Sequence, residues 1–223
     1  MKAAMYADWI NFREQMRTVV ILVAFCIVYA LSVGMPVMFS TMLVVISWLF
    51  PNAAFNAGLT SGWDKLGLCL PVSRRDVVAG RFLLALAVNA VLFALALGLA
   101  ALLGVLPIGD STVIEGAAAA LAGETVALIL LGTEMAAAFK WGLQKASYIA
   151  VGFFCLIMLI PISVFTFGAL EIDTPRVSAF MTWLLGLEEH AFLLLLLGCV
   201  LAGLAVYALC YLISVRVYRK KEL

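Results

Sequence analysis

The chain has 223 residues, of which 66% are hydrophobic and only 12% are charged. An average soluble domain is about half apolar and about a quarter charged, so this composition excludes an ordinary soluble domain and favours a protein that faces lipid. The formal net charge of +1 gives no indication of nucleic-acid binding, and only the placement of the charges is informative.

Residues 1–17 form the first predicted element. Met5, Trp9, Phe12 and Met16 recur at helical spacing, while polar and charged residues occupy the other faces. This pattern predicts an amphipathic helix that lies on the inner leaflet, with its Trp and Met side chains at the headgroup boundary. A helix packed against another protein surface would have the same periodicity, so that alternative stays open.

Residues 18–57 contain no charge and would form a helix of about 60 Å if they were continuous, roughly twice the thickness of the hydrocarbon core. The segment must therefore turn back on itself. Gly34-Met35-Pro36 near its middle provides a helix breaker, which predicts helix 1 at about Thr18–Gly34 and helix 2 at about Val37–Ala57.

Residues 58–81 form a cytoplasmic connection with two helix-start signals. Ser61 and Ser73 each precede an aspartate by three residues, a spacing that fits a capping box. Pro71 separates the two starts, which predicts a short helix at about Trp63–Cys69 and a second helix that begins directly after Ser73 and continues into the third span. Such a short helix is suited to receive a push from a partner, or it is an interfacial loop anchored to anionic lipid.

The rest of the chain alternates between apolar spans and polar connections. The predicted elements are helices 3 and 4 within residues 82–138, a cytoplasmic loop at 139–148, helix 5 at 149–169, an outer loop at 170–190, helix 6 at 191–215 and a cytoplasmic tail at 216–223. Of the 14 Lys and Arg residues, all except Arg176 fall on one side if the chain crosses six times. Because basic residues mark the cytoplasmic side, we predict a single all-α membrane domain with six transmembrane helices and both termini in the cytoplasm.

Among the polar residues inside the predicted spans, three are candidates for a functional site. Helix 4 contains Glu124 near its middle and Glu134 near its inner end, and helix 3 contains Asn89. An ionisable group at this depth is by default a functional-site hypothesis. Glu134 has the interface or Lys140 within reach, whereas Glu124 requires a neighbouring helix, a dimer partner or a polar conduit, and Asn89 is a candidate hydrogen-bond partner. A proton-coupling role for Glu124 and a structural interhelix hydrogen bond both fit the sequence.

Small residues recur at four-residue spacing in two spans. Ala90, Ala94 and Gly98 in helix 3, and Gly198 and Ala202 in helix 6, have the spacing that permits close helix contact. In spans this rich in alanine such matches arise readily by chance, so they do not identify a dimer interface.

Several classes of enzyme lack their motifs in this sequence. There is no G-x-x-x-x-G-K-[ST] phosphate loop, and a single histidine provides neither a Ser-His-Asp constellation nor an H-E-x-x-H zinc site. The five cysteines contain no C-x-x-C pair. We therefore expect no catalytic residue and no metal site in this chain, and no nucleotide hydrolysis by the chain itself.

The chain resembles the permease subunits of type-2 ATP-binding-cassette exporters, in the small six-helix bacterial branch that includes peptide and toxin exporters. The amphipathic entry helix, the tight first hairpin and two stretches of the cytoplasmic connection, GWDKL at Gly62–Leu66 and LPVSRRDVV at Leu70–Val78, are the basis of this resemblance. In that family a similar segment forms a coupling helix that docks on a separate ATPase subunit. The resemblance implies that the ATPase-coupling residues are Trp63, Asp64, Lys65, Leu70, Pro71, Ser73, Arg74 and Arg75.

The resemblance also implies partners, cofactors and a direction of transport. Two permease subunits, identical or paralogous, would pair in the bilayer of the bacterial cytoplasmic membrane and bind two ATPase subunits. ATP and Mg would be bound by the ATPase, and this chain would bind no cofactor. The expected function is outward transport of an amphipathic or hydrophobic substrate. The alternatives are a proton-coupled secondary transporter that uses Glu124, and a non-transporting membrane assembly protein.

Overall fold

The structure of the chain is a computed structural model, and it describes residues 17–29, 32, 42, 44–47, 73–105, 112–169 and 189–220. Within these ranges almost every residue is helical and none is in a β-strand. The prediction of an all-α membrane protein is therefore confirmed. The predicted interfacial helix at 1–17 lies almost entirely outside the described residues.

Six helical segments among the described residues correspond in order to the six predicted spans. They are α1 (Arg17–Tyr29), α2 (44–47), α3 (Arg74–Val105), α4 (Val113–Trp141), α5 (Leu143–Ala169) and α6 (Glu189–Lys220). In this part of the chain, three stretches are long and apolar enough to cross a membrane, namely Arg75–Leu102, Val113–Trp141 and His190–Arg219.

A side-chain cap defines where α4 begins. At the start of α4, the backbone N–H of Glu115 donates to the Thr112 hydroxyl, and the backbone N–H of Thr112 donates to the Glu115 carboxylate. This reciprocal pair is a complete capping box. The Thr-x-x-Glu spacing is visible in the sequence, and the helix begins at Val113, directly after the Thr112 cap.

The predicted cytoplasmic loop at residues 139–148 is wrong as a secondary-structure assignment. α4 continues to Trp141 and α5 begins at Leu143, so Gly142 alone separates the two helices. Gly142 has a φ of 88°, a conformation that glycine adopts without a Cβ clash, and its N–H donates to the carbonyl of Ala138. The exposed polar residues of this stretch lie at helix ends, where they are solvated without interrupting the backbone hydrogen bonds.

α4 is the central helix of the described bundle. Leu128, Leu130, Leu131 and Met135 on this helix are almost completely buried. α4 and α6 run parallel. Gly203 of α6 lies against Thr125 of α4, and further along both helices Tyr207 lies against Gly132. The α4 backbone at Gly132 lies so close to α6 that an added Cβ would be 3.2 Å from Tyr207 Cα.

The basic residues at the helix ends lie at one end of the bundle. α3 runs antiparallel to α4, since Phe82 stacks on Phe139 at the inner end and Asn89 contacts Glu124 further along. With α6 parallel to α4, the first turn of α3 and the last turns of α4 and α6 lie together. The exposed basic residues at this end are Arg75, Lys140, Lys145, Arg216 and Arg219. This arrangement is the one that the predicted orientation requires.

Candidate functional site

The end of the predicted coupling segment lies within the described residues. Ser73 and Arg75 are exposed, and Arg74 is the first residue of α3. The other residues predicted to contact the ATPase lie outside the described residues; they are Trp63, Asp64, Lys65, Leu70 and Pro71.

Ser73 caps the N-terminus of α3. The backbone N–H of Asp76 donates to the Ser73 hydroxyl at 3.1 Å and to the Ser73 carbonyl at 2.9 Å. Asp76 also places a negative charge in the first turn, where it is favourable with respect to the helix dipole. The predicted second helix start is therefore confirmed, and α3 continues without a break from Arg74 to Val105. The coupling segment is thus joined directly to a helix that extends through the predicted span.

Aromatic side chains from three helices meet two turns beyond this cap. Phe82 of α3 lies with its ring centroid 5.3 Å from that of Tyr207, 5.5 Å from that of Tyr211 and 6.2 Å from that of Phe139. Phe139 in turn packs edge-on against Tyr218 at 5.5 Å. We call these five residues the aromatic cluster. Such ring contacts add about 0.5–1.5 kcal/mol per pair beyond simple area burial.

A hydrogen bond and a cationic side chain reinforce the aromatic cluster. The Tyr207 hydroxyl donates to the backbone carbonyl of Phe82 at 2.7 Å, in a buried position. The guanidinium carbon of the buried Arg81 lies 6.0 Å from the centroid of the Phe139 ring. Together these contacts join the first turns of α3 to the inner ends of α4 and α6. A displacement of the start of α3 must therefore displace α4 and α6 as well, or break these contacts.

The aromatic cluster was not predicted from the sequence. Phe82, Phe139 and Tyr207 are far apart in the chain, and each is an ordinary apolar position within its own helix. The available signal was that aromatic residues occur near the inner ends of three predicted spans, which by itself also fits an interfacial aromatic belt. Only the packing of the three helices distinguishes a buried cluster from such a belt.

Two of the polar residues predicted within the spans, Asn89 and Glu124, form an interhelix hydrogen bond. This is one of the two roles considered for Glu124. The Asn89 side-chain amide donates to the Glu124 carboxylate at 2.6 Å, so the predicted Asn89–Glu124 partnership is confirmed. Asn89 is only 2% exposed. The side-chain oxygen of Asn89 has no hydrogen-bond partner among the described residues. The contact joins α3 to α4 at the middle of the bundle.

A small cavity lies beside Glu124. It is lined by Glu124 and Gly123 of α4, Ser47 of α2, and Leu92 and Phe93 of α3, among others. Its volume of about 10 Å³ is at the lower limit of the space that one water molecule needs. We call it the Glu124 cavity. Small residues of the outer half of α4 leave this space open, and Ser47 is a further polar residue that sequence reasoning did not identify.

Glu134 lies in a different environment from Glu124. It is fully buried, in the densely packed inner half of α4. The prediction that Glu134 reaches the water interface is therefore wrong, because neighbouring helices surround this face of α4. Lys140, its other predicted partner, is exposed and has its ammonium group 4.3 Å from the centroid of the Trp141 ring.

The small residues noted in the sequence lie on the outside of the described bundle. Ala90, Ala94 and Gly98 are exposed on α3, and an added Cβ at Gly98 or at Gly198 would meet no atom within 4 Å. The close helix contact is made elsewhere, at Gly132 of α4 and Gly203 of α6.

Comparison with known proteins supports a role in membrane transport. A family model described as ABC-2 family transporter protein matches residues 5–219, which is nearly the whole chain. No curated protein and no solved structure matches it. The matched region includes the coupling segment, the aromatic cluster and the Asn89–Glu124 pair.

Proposed function

Because the chain belongs to the ABC-2 family of transporter proteins and is a membrane permease of an ABC transporter, we propose that it exports an amphipathic or hydrophobic substrate. Membership of this family implies an ABC ATPase as partner. We propose that the ATPase is a separate subunit, which binds ATP and Mg and hydrolyses the nucleotide, while this chain binds no cofactor.

The observation that best supports this proposal is the continuity of α3. The helix begins at Arg74, at the end of the segment that resembles a coupling helix, and extends for 32 residues. At about 1.5 Å per residue it is long enough to extend from the cytoplasmic side through the hydrocarbon core. A force applied near Ser73 therefore acts directly on a membrane-spanning helix.

The aromatic cluster provides the next step of the transmission. When two ATPase subunits close around ATP, they would push on the coupling segment and displace the inner end of α3. Because Phe82 packs against Tyr207 and Phe139, the inner ends of α6 and α4 would move with it. The predicted result is that access to the transport path changes from the inner to the outer side.

The transport path is proposed to lie between two permease subunits, either two copies of this chain or this chain and a paralogue. The exposed surface of the described helices is apolar, with large side chains such as Leu194, Leu201 and Ile21 more than 60% exposed. An apolar surface of this kind fits lipid and fits a peptide, drug or lipid-like cargo. We place the transporter in the bacterial cytoplasmic membrane.

Proton-coupled transport through Glu124 is less well supported. A proton relay requires a second group that accepts or releases the proton, and among the described residues that line the Glu124 cavity Glu124 alone is ionisable. Asn89 is a hydrogen-bond donor to Glu124 and does not titrate. The contact therefore favours a structural role for the carboxyl group.

The experiment that tests this proposal measures ATPase binding and ATP turnover with the full-length chain. We would purify the chain from its host membrane, identify any ABC ATPase that co-purifies, and reconstitute the pair in nanodiscs. Trp63→Ala and Arg74→Glu should each lower ATPase co-purification or permease-dependent ATP turnover at least several-fold. Arg216→Glu is the matched control, because Arg216 is an exposed arginine at the same end of the bundle but lies on α6.

Two results would contradict the proposal. The first is the recovery of an intact, folded chain from its host membrane with no ABC ATPase bound under any nucleotide condition. The second is unchanged binding and unchanged turnover in both coupling-segment variants, since the force would then enter the permease somewhere else.

A further inference from the structure

Polar side chains from three helices meet at the middle of the bundle. Ser47 of α2 is 3% exposed and Asn89 of α3 is 2% exposed, and Glu124 of α4 accepts a hydrogen bond from Asn89. The apolar residues around them are Leu92, Ala96 and others of the surrounding helices. Buried polar groups of this kind destabilise a protein unless their hydrogen bonds are made.

The described contacts leave hydrogen-bonding capacity unused at this place. A carboxyl group offers two oxygens, and the described contacts account for one hydrogen bond, from Asn89 to one of the Glu124 oxygens. The Glu124 cavity is bordered by Glu124 and Ser47, and its volume of about 10 Å³ is at the lower limit of the space that one water molecule needs.

We propose that one water molecule occupies the Glu124 cavity and bridges the Glu124 carboxyl group to the Ser47 hydroxyl, so that α2, α3 and α4 are joined by a continuous set of hydrogen bonds. A water molecule supplies both the donors and the acceptors that these two groups need. Among the described residues that line the cavity there is no basic side chain. The proposed junction works by hydrogen bonding, so a neutral amide should be able to replace the carboxyl group.

The role of this junction in transmitting movement rests on the proposed function. If a partner ATPase moves the inner end of α3, the hydrated junction is a second point at which α3 is attached to α4, and it adds a polar attachment to α2 beside the apolar packing of Ile46 with Leu92 and Ala96. Loss of the junction would weaken the attachment of α3 to both helices. The permease should still bind the ATPase, because Arg75, at the described end of the predicted coupling segment, lies about four helical turns from Asn89 along α3.

The test compares variants of Glu124 with a matched control on the same helix. Glu124→Gln keeps the shape and the hydrogen-bonding capacity of the side chain, whereas Glu124→Leu removes that capacity. Glu115→Gln is the control, because Glu115 is an exposed glutamate at the start of α4 and glutamine can also complete the capping box. We expect Glu124→Gln and Glu115→Gln to unfold within about 2 °C of the wild type in nanodiscs, and Glu124→Leu to unfold about 2–5 °C lower.

The water molecule is tested by infrared spectroscopy of the full chain in nanodiscs, without any ATPase. The wild type should show an internal-water O–H band that shifts when H₂¹⁶O is exchanged for H₂¹⁸O. Ser47→Val should abolish this band, because it removes the hydroxyl group and fills the cavity, while Glu115→Gln should retain it. Absence of an isotope-sensitive band in the wild type would overturn the hydrated junction.

Measurements of ATP turnover distinguish the junction from a proton relay. With the partner ATPase present, Glu124→Gln should retain permease-dependent ATP turnover, and Glu124→Leu should lower it several-fold with ATPase co-purification unchanged. Loss of turnover in Glu124→Gln at normal stability would overturn the inference in favour of a titrating carboxyl group. Co-purification of the ATPase with the Trp63→Ala variant tests the proposed function separately. The stability and infrared measurements do not depend on the outcome of that test.

Discussion

The close approach of α4 and α6 at Gly132 leads to a sharp prediction about stability. An added Cβ at this position would lie 3.2 Å from both Cα and Cδ2 of Tyr207, and 3.5 Å from Cβ of Cys210. Favourable contacts between carbon atoms lie at about 3.5–4.0 Å, so the two helices would have to separate by a few tenths of an ångström. The nearest atom belongs to the α6 backbone, which cannot move aside as a side chain can.

The magnitude follows from two opposing effects. Replacing a helical glycine by alanine stabilises a helix by about 1 kcal/mol, and inserting a methyl group into a filled contact costs about 1–3 kcal/mol. Gly132→Ala should therefore range from neutral to about 2 kcal/mol less stable. Gly132→Val adds two further carbons on a side chain with one preferred rotamer in a helix, so we expect a loss of about 3 kcal/mol or more.

The assay is the thermal unfolding midpoint of the purified chain in nanodiscs. A loss of about 3 kcal/mol corresponds to about 6–12 °C for a protein of this size. Gly152→Val is the matched control, because Gly152 lies on α5 and an added Cβ there would meet nothing within 4 Å; its midpoint should change by less than about 3 °C. If Gly132→Val is as stable as the Gly152→Val control, α4 and α6 are not packed as closely as described.

Two further predictions concern single hydrogen bonds. Tyr207→Phe keeps the ring in the aromatic cluster but removes the hydroxyl that donates to the Phe82 carbonyl, so the variant should lose about 1 kcal/mol, or about 2–4 °C in midpoint. Tyr211→Phe, on the same helix and against the same Phe82 ring, is its comparison; an equal loss in both would refute the special role of the Tyr207 hydroxyl. Thr112→Ala should remove the cap of α4 and speed hydrogen exchange in its first turn by roughly fivefold, as about 1 kcal/mol of capping energy implies, whereas Thr112→Ser should exchange at the wild-type rate. Equal exchange in the alanine and serine variants would show that the capping box with Glu115 does not stabilise this end.

Local signals in the sequence were sufficient for the helices and for one of their polar contacts. The apolar runs predicted the spans, and the Ser73-x-x-Asp76 spacing predicted the start of α3. Asn89 and Glu124 are an amide and a carboxyl group inside neighbouring spans, so burial in the bilayer core made their hydrogen bond a reasonable expectation.

Features that depend on the packing of several helices were not predictable in the same way. The connection between α4 and α5 at Gly142 was predicted as a loop because polar residues such as Lys140 and Lys145 occur there. Polar residues at the ends of two helices do not require a loop between them. The close contacts at Gly132 and Gly203 match no small-x-x-x-small pair that the sequence analysis selected. Whether a small residue faces another helix depends on the rotation of each helix about its axis, which composition and spacing do not specify in spans that are apolar on all faces.

The two attachments of α3 together determine how a displacement of its inner end is transmitted. Phe82 and Asn89 are separated by seven positions, or about two turns, and so lie on the same face of the helix about 10 Å apart. Phe82 is held by rings of α4 and α6, and Asn89 by the Glu124 side chain of α4. A helix held at a single level can pivot about that contact, whereas a helix held at two levels on one face resists both tilting and rotation against its neighbour. α3 and α4 should therefore move as one body when the coupling segment is pushed, and the rearrangement that opens a transport path must take place at surfaces other than the one between them.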